Sequence, residues 1–423
     1  MRFFHIKSDL SKICSFLIYL LPLALISGPL FSDLFVSILG IFAIYIILRF
    51  KEFHYLKNKF IIIFFLWWLY LIFLSLSSEN IYLSLESSLF YFRFIFFVIA
   101  IWFMLKNIKN FLKYFYYFLF FTFLLLFFDS FFQLIFKHNL IFYSYEGGRL
   151  SSFFGEEKKL GSYISRLLPF LSGLMIFNSN NLFKTKFLLF FLYLLSLILI
   201  LFSGERSSLF YYILNVILII IFVKDLRKFF SISISIITLF TGIFILYEDT
   251  IKQRMIDNTI TRFIHKDQLH IYNNNLNVFS SEHQSIYISA YKIFLDNKIF
   301  GIGPKNFRIE CLKDEYKVVH SYQLCPSHPH NSYIQLLAET GIFGFLFILG
   351  LFFLIFYLLK KKKLRINYSF QEKNLYIFLL ISCFISLWPL TPTGNFFNNW
   401  LNIIYFFPIG FILYFIDKNK IKT

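Results

Sequence analysis

Two imidazoles and an amide stand together in the run Ser327-His328-Pro329-His330-Asn331-Ser332-Tyr333, directly ahead of a long apolar stretch. Histidine has an ordinary pKa near neutrality, so it can take or give a proton at physiological pH. A lone histidine near an interface is usually structural or solvated. Two of them with an asparagine, at the mouth of a helix and beneath a basic loop, are candidates for a site. Arginines are the second group with chemistry to offer, because a guanidinium fork holds phosphate or carboxylate oxygens in pairs. Arg149, Arg206 and Arg308 lie between apolar stretches rather than within them. Arg206, in Ser203-Gly204-Glu205-Arg206-Ser207-Ser208, occupies a tight turn where helix orientation calls for no cation, and it reads as functional.

The elements that must position these residues are membrane helices. Of 423 residues 58% are hydrophobic, 23% aromatic and only 15% charged, with a mean hydropathy of +0.68. That composition excludes a soluble enzyme, and the lack of an alternating ten-residue strand pattern excludes an outer-membrane barrel. The formal charge of +18 comes from short Lys and Arg clusters between apolar runs, where they orient helices in a bilayer; it is topology, not a nucleic-acid surface. Phe, Ile, Lys, Asn and Tyr are all encoded by AT-rich codons, so the aromatic surplus alone says nothing about a ligand.

Apolar stretches fall at about 12–29, 31–48, 60–77, 82–104, 111–136, 161–177, 187–203, 207–223, 229–247, 332–358, 375–390 and 401–415. Each can cross a ~30 Å hydrocarbon core with some tilt. The expected fold is thus an all-α polytopic membrane protein of about twelve transmembrane helices with a large periplasmic loop. Every second connector is basic, from Arg2, Lys7 and Lys12 to Lys418, Lys420 and Lys422, whereas Ser27 to Asp33, Ser77 to Asn80 and Leu390 to Trp400 carry no Lys or Arg. The bias places both termini in the cytoplasm. The first helix has the charged start of a signal peptide, but a second span follows at once and cleavage would spoil the alternation, so it is expected to stay. Three parts result: 1–247 with nine helices and a short periplasmic loop at 137–160, a large periplasmic loop at 248–331, and 332–423 with three helices and a cytoplasmic tail.

Polar residues collect in the two long outer connectors. In the second, Gln284 to Asn297 sets Ile286, Ala290, Ile293 and Phe294 at helical spacing, predicting an amphipathic helix on the membrane face that Gly301-Ile302-Gly303-Pro304 breaks as a turn. No strand precedes that glycine pair and no helix follows it, against a phosphate loop. Cys14 and Cys383 lie in spans, while Cys311 and Cys325 share the oxidising outer loop and are expected to pair. Closing that loop would contribute roughly 3 kcal/mol and fix the segment leading to His328. No further Cys or His pair at zinc spacing completes a metal site. Of the charges in spans, Glu86 and Arg93, two turns apart on one helix, and Asp129 on the next read as a structural ion pair within the bundle. Arg166, in the first turns of the sixth span, fits either a structural or a functional role.

The run from His330, His-Asn-x-Tyr-x-x-Leu-x-x-Glu-x-Gly, resembles the signature of the O-antigen ligase and O-antigen polymerase superfamily. A large external loop before it, the segment Gly301 to Arg308, and Arg206 in an upstream outer turn resemble further features of that family, over roughly residues 185 to 350. The flanking spans match only in number and hydropathy. The resemblance implies a bundle related to the C-type glycosyltransferases, moving a glycan from undecaprenyl diphosphate to lipid A-core or a glycan acceptor at the periplasmic face of the bacterial inner membrane. No cofactor, metal or nucleic acid is implied; the partners are the lipid-linked donor, the acceptor and the bilayer.

On that resemblance His330, immediately before Asn331, is the base, with Arg206 catalytic beside it. Arg149, Arg308, His328, Asn331 and Glu339 bind substrate, and His328 also fits a supporting role. Glu339 is about 13 Å of helix rise from His330 and half a revolution round, so it is expected to face a polar group of another helix. The outer arginines are Arg149, Arg206, Arg254, Arg262 and Arg308, with Arg166 below; only about three are placed to converge, which favours one diphosphate and therefore a ligase over a polymerase. A transporter for a lipid-linked saccharide is the reading from another class, but its internal repeats and midplane charges are not visible here.

Overall fold

A segment inside hydrocarbon must satisfy its own backbone N–H and C=O groups, which makes helix the conformation of each apolar stretch. The computed structural model describes residues 2–145, 148–247, 252–257, 279, 281–318, 325–361 and 368–422. Arg262 and the side chain of Arg254 lie outside the described residues, as does much of the 248–331 loop. Among the described residues the chain is helical with no strand, and only an isolated bridge joins His138 and Ser144.

The N-terminal part holds α1 (Arg2–Ala24), α2 (Pro29–Phe50), α3 (Lys59–Leu76), α4 (Ile81–Ser88), α5 (Arg93–Asn107), α6 (Phe111–Phe136), α7 (Leu160–Phe177), α8 (Leu182–Ser203), α9 (Arg206–Phe222) and α10 (Arg227–Tyr247). The long connector carries α11 (Ser281–Asp296) and a single turn, α12 (Phe307–Glu310). Then come α13 (Ser332–Lys360), α14 (Phe370–Ser386) and α15 (Asn399–Lys422). Among the described residues eight helices, with α4 and α5 taken as one, are long and apolar enough to cross a membrane. The pair α9 and α10, bent by 108°, makes a ninth if counted as one span. The chain is therefore a multi-pass membrane protein.

Helices α5, α7, α14 and α15 form the centre, and α7 is buried on almost every side. Their large side chains interlock: Phe170 packs edge-on against Phe411 at 4.8 Å and Phe407 at 5.9 Å, with Phe115 5.3 Å from Phe170. Such pairs add about 0.5–1.5 kcal/mol each beyond their burial. The peripheral helices α2, α3 and α6 keep Ile41, Leu48, Leu66, Phe121 and Phe128 exposed, as lipid-facing helices do.

The chain breaks between α4 and α5, so Glu86 and Arg93 do not share one straight helix face, and the expected ion pair is corrected. Arg93 pairs with Asp33 of α2 at 2.7 Å, and Glu86 meets Lys305 at 3.5 Å. Asp129 instead accepts from Ser152 Oγ at 2.5 Å and Leu140 N at 2.9 Å, holding a loop rather than a cation.

The expected amphipathic helix forms as α11, with Ile286, Ala290 and Ile293 buried against Phe307, Cys311 and Ala338. The glycine segment after it forms a turn, followed, contrary to expectation, by the single turn α12. The turn is stitched into α13: Gly303 N donates to Glu339 O at 2.8 Å, and Ile342 N to Lys298 O at 2.9 Å. α13 opens at Gly341 (φ 64, ψ −164) to receive it. A Cβ at Gly341 would lie 2.2 Å from Ile299 O, so both the backbone conformation and the close approach require glycine.

Candidate functional site

The apolar run behind His330 becomes α13 because Asn331 caps it. The Asn331 Oδ1 accepts from Tyr333 N at 2.9 Å and Ile334 N at 3.2 Å, while its Nδ2 donates to Pro389 O at 2.8 Å and Thr391 O at 3.4 Å. Its amide is fully engaged with backbone and it does not line the cavity described below. Next to it His330 sits at φ 57, and its carbonyl accepts from Thr393 N at 2.8 Å. Ser332 N in turn donates to Thr393 Oγ1 at 2.9 Å. The histidine segment is thus clamped to the 389–393 connector.

His330 lines a partly open cavity of about 950 Å³ between the helix ends, with charged and polar side chains among apolar ones. The rings of His328 and His283 lie 4.3 and 5.8 Å from that of His330, all three lining the cavity. Burial, followed by the neighbouring His283, lowers the pKa of His330 and keeps its imidazole neutral. His328 is pushed down to about 3, by burial first, then by His330 and Arg308. A neutral imidazole facing a polar cavity is a proton acceptor ready for use.

One wall comes from the start of α7 and its surroundings. Asp129 and Gln133 of α6 anchor the preceding loop, Gln133 Oε1 accepting from Ser152 N at 2.7 Å. Arg149 of that loop donates from Nε to Ser203 O at 3.2 Å. Lys159 pairs with Glu157 at 2.5 Å and lies 5.4 Å over the Trp400 ring. Arg166 is buried, donating to Ser162 Oγ at 3.2 Å and Ser386 O at 3.3 Å, with Tyr211 stacked at 4.7 Å. Glu205 accepts from Gly161 N at 2.7 Å and Ser162 N at 3.0 Å, capping α7; burial, only partly offset by these bonds and by Arg149, pushes its pKa up to about 7.

The wall formed by the turn and α12 carries Lys305 and Arg308, with Glu86 of α4 paired to Lys305. Glu339 stands behind this wall, accepting from Gln335 Nε2 at 2.9 Å and Phe307 N at 3.3 Å, so it braces α12 and does not line the cavity. Gln335 also donates to Asn395 Oδ1 at 2.9 Å, extending the brace to the 392–401 connector. Cys311 and Cys325 form a disulfide with Cα atoms 5.7 Å apart, tying α12 to the histidine segment.

Of the residues singled out in the sequence, the cavity brings together Arg149, Arg308, His328 and His330. Arg206, the first residue of α9 and half-buried, is not among the residues lining it. Sequence reasoning missed His283, Lys159, Lys305 and the 392–401 connector. The available signal there was the density of Thr and Asn at Thr391, Thr393, Asn395, Asn398 and Asn399 in a connector with no Lys or Arg.

Residues 191–349 match the family described as O-antigen ligase (Wzy_C). The match includes α9, the described part of the long connector, the histidine segment and the first half of α13. No curated protein matches the chain.

Proposed function

We propose, from the match of residues 191–349 to the O-antigen ligase family, that the chain is an O-antigen ligase-type glycosyltransferase of the bacterial inner membrane. It moves a glycan from undecaprenyl diphosphate to lipid A-core at the periplasmic face. The observation that carries this reading is one cavity lined by a neutral His330 together with the cations Arg149, Lys159 and Arg166. An acceptor hydroxyl attacks the anomeric carbon as its proton passes to the free imidazole nitrogen of His330. The bond from that carbon to the diphosphate oxygen breaks, and the electron pair leaves with undecaprenyl diphosphate. Inversion at the anomeric carbon follows from one displacement.

A diphosphate is a good leaving group and needs cations rather than a strong acid. Arg149 and Lys159 supply them, with Arg206, the residue after Glu205, as a supporting charge outside the cavity lining. His328 abuts the base, and Asn331 and Glu339 act by holding the base and α12 in place.

Six cations line the cavity among the described residues: Arg93, Arg149, Lys159, Arg166, Lys305 and Arg308. That number supports, as a second reading, a polymerase that joins two lipid-linked units. The glycan profile of a deletion strain separates the two. Polymerised glycan left on undecaprenyl diphosphate beside bare lipid A-core means ligase; single repeats attached to lipid A-core mean polymerase; an unchanged profile refutes both.

A further inference from the structure

In a displacement at one carbon, the attacking and leaving oxygens lie on opposite faces of that carbon. Cations beside the base therefore cannot also hold the leaving diphosphate. Arg308 is on the histidine-segment side: it lines the same cavity as His328 and His330, and the Cys311–Cys325 disulfide ties its helix to that segment. Arg308 and Lys305 belong to α12 and the turn before it, braced by Glu339 and by the Cys311–Cys325 disulfide. Arg149, Lys159 and Arg166 belong to the α7 side.

The two sets also differ in how well their charge is met. Arg166 is saturated by Ser162, Ser386 and two aromatic rings, Tyr211 and Tyr405. Among the described residues the Arg308 guanidinium makes no ion pair at contact distance, though its charge reaches the buried Glu339, and its Nε is buried without a hydrogen-bond partner. A buried, unpaired guanidinium nitrogen is costly and is relieved by an incoming anion. Among the described residues Lys305 makes an ion pair only with Glu86, at 3.5 Å, whose side chain is 67% exposed, a pair that an anion displaces at little cost.

Resting on the transferase reading above, we propose that Arg308 and Lys305 form an acceptor-side anion subsite. The acceptor then presents a phosphate or carboxylate close to the hydroxyl that attacks, and acceptor choice is set at α12, not at the diphosphate wall. Two sources offer that chemistry: the diphosphate of a second lipid-linked repeat, and the acidic groups of a lipid A-core.

The test uses the full chain in proteoliposomes, with an undecaprenyl diphosphate-linked glycan as donor and two pairs of acceptors. One pair is a fluorescent single repeat on a prenyl diphosphate and the same repeat on a neutral alkyl chain. The other is intact and phosphatase-treated lipid A-core. Wild type should use one acidic member over its neutral counterpart, which identifies the source. Arg308→Gln should raise the KM for that acceptor about tenfold or more while the donor KM holds. Arg149→Gln should do the reverse, and Arg308→Lys should recover most of the loss with an unchanged unfolding midpoint. Equal use of acidic and neutral acceptors by wild type, or a rise in donor KM alone in Arg308→Gln, overturns the subsite and leaves the transferase standing. No transfer by wild type to any acceptor overturns the transferase reading and the subsite with it.

Discussion

Asn331 tests whether the residue beside the base acts by touching substrate or by holding the base. Its amide makes two bonds that cap α13 and two that tether it to Pro389 and Thr391, the last long at 3.4 Å. Asn331→Ser keeps a capping oxygen and removes the tether; Asn331→Ala removes both. Losing the tether leaves the Pro389 carbonyl without this donor, worth about 1–2 kcal/mol, and losing the cap adds about 1 kcal/mol. The expected order of destabilisation is therefore about 1–2 for serine and 2–3 kcal/mol for alanine, read from denaturation midpoints in detergent. His330 follows directly on this tether, and a misplacement of about 1 Å costs on the order of a hundredfold in rate. Both variants should lose kcat while the substrate KM values hold, alanine more than serine. Unchanged midpoints with a raised acceptor KM would refute the reasoning and return Asn331 to direct substrate contact.

Reporter fusions after Asn110, Lys186, Lys228 and Lys363 should report cytoplasm and those within 137–160 and 248–330 periplasm; a cytoplasmic signal from the second loop removes the periplasmic mechanism. Cys311 and Cys325 should resist alkylation until reduced, read by mass spectrometry, and free alkylation of both without reductant shows that the bond is absent. Because burial and His283 lower the pKa of His330, the base stays neutral below the ordinary value of 6.5, so the acid limb of kcat/KM should fall with a midpoint below pH 6.5; a midpoint at or above that value contradicts the buried, neutral base. Arg206→Ala, at a residue outside the cavity lining, should lower transfer without abolishing it, with expression and lipid-linked donor intact; complete loss with the fold intact would show that it contacts substrate.

Hydropathy made the helices legible, since each apolar stretch needs its own backbone satisfied, and α11 was readable because Ile286, Ala290 and Ile293 keep a helical period. What a linear pattern cannot carry is a partner distant in the chain. Arg93 was assigned to Glu86 because they are seven residues apart, while its actual partner, Asp33, comes from another helix. The break at Gly341 was equally hidden: glycine is unremarkable within an apolar run, and only the approach of Ile299 explains it. At the site, His330 and Arg149 were visible through residue type in the right connectors. His283 and Lys305 were not, because the three-dimensional return of the long connector, not any local spacing, brings them to the cavity.

The most direct measurement of the central claim is glycan transfer by the purified chain in proteoliposomes, with lipid-linked donor and acceptor and with no nucleotide present. The product linkage is read for anomeric configuration, and His330→Ala is run beside wild type. The account predicts an inverted product from wild type and none above background from His330→Ala, with donor still bound by the variant. A retained configuration, or turnover by His330→Ala at the wild-type rate, would contradict a single displacement assisted by His330.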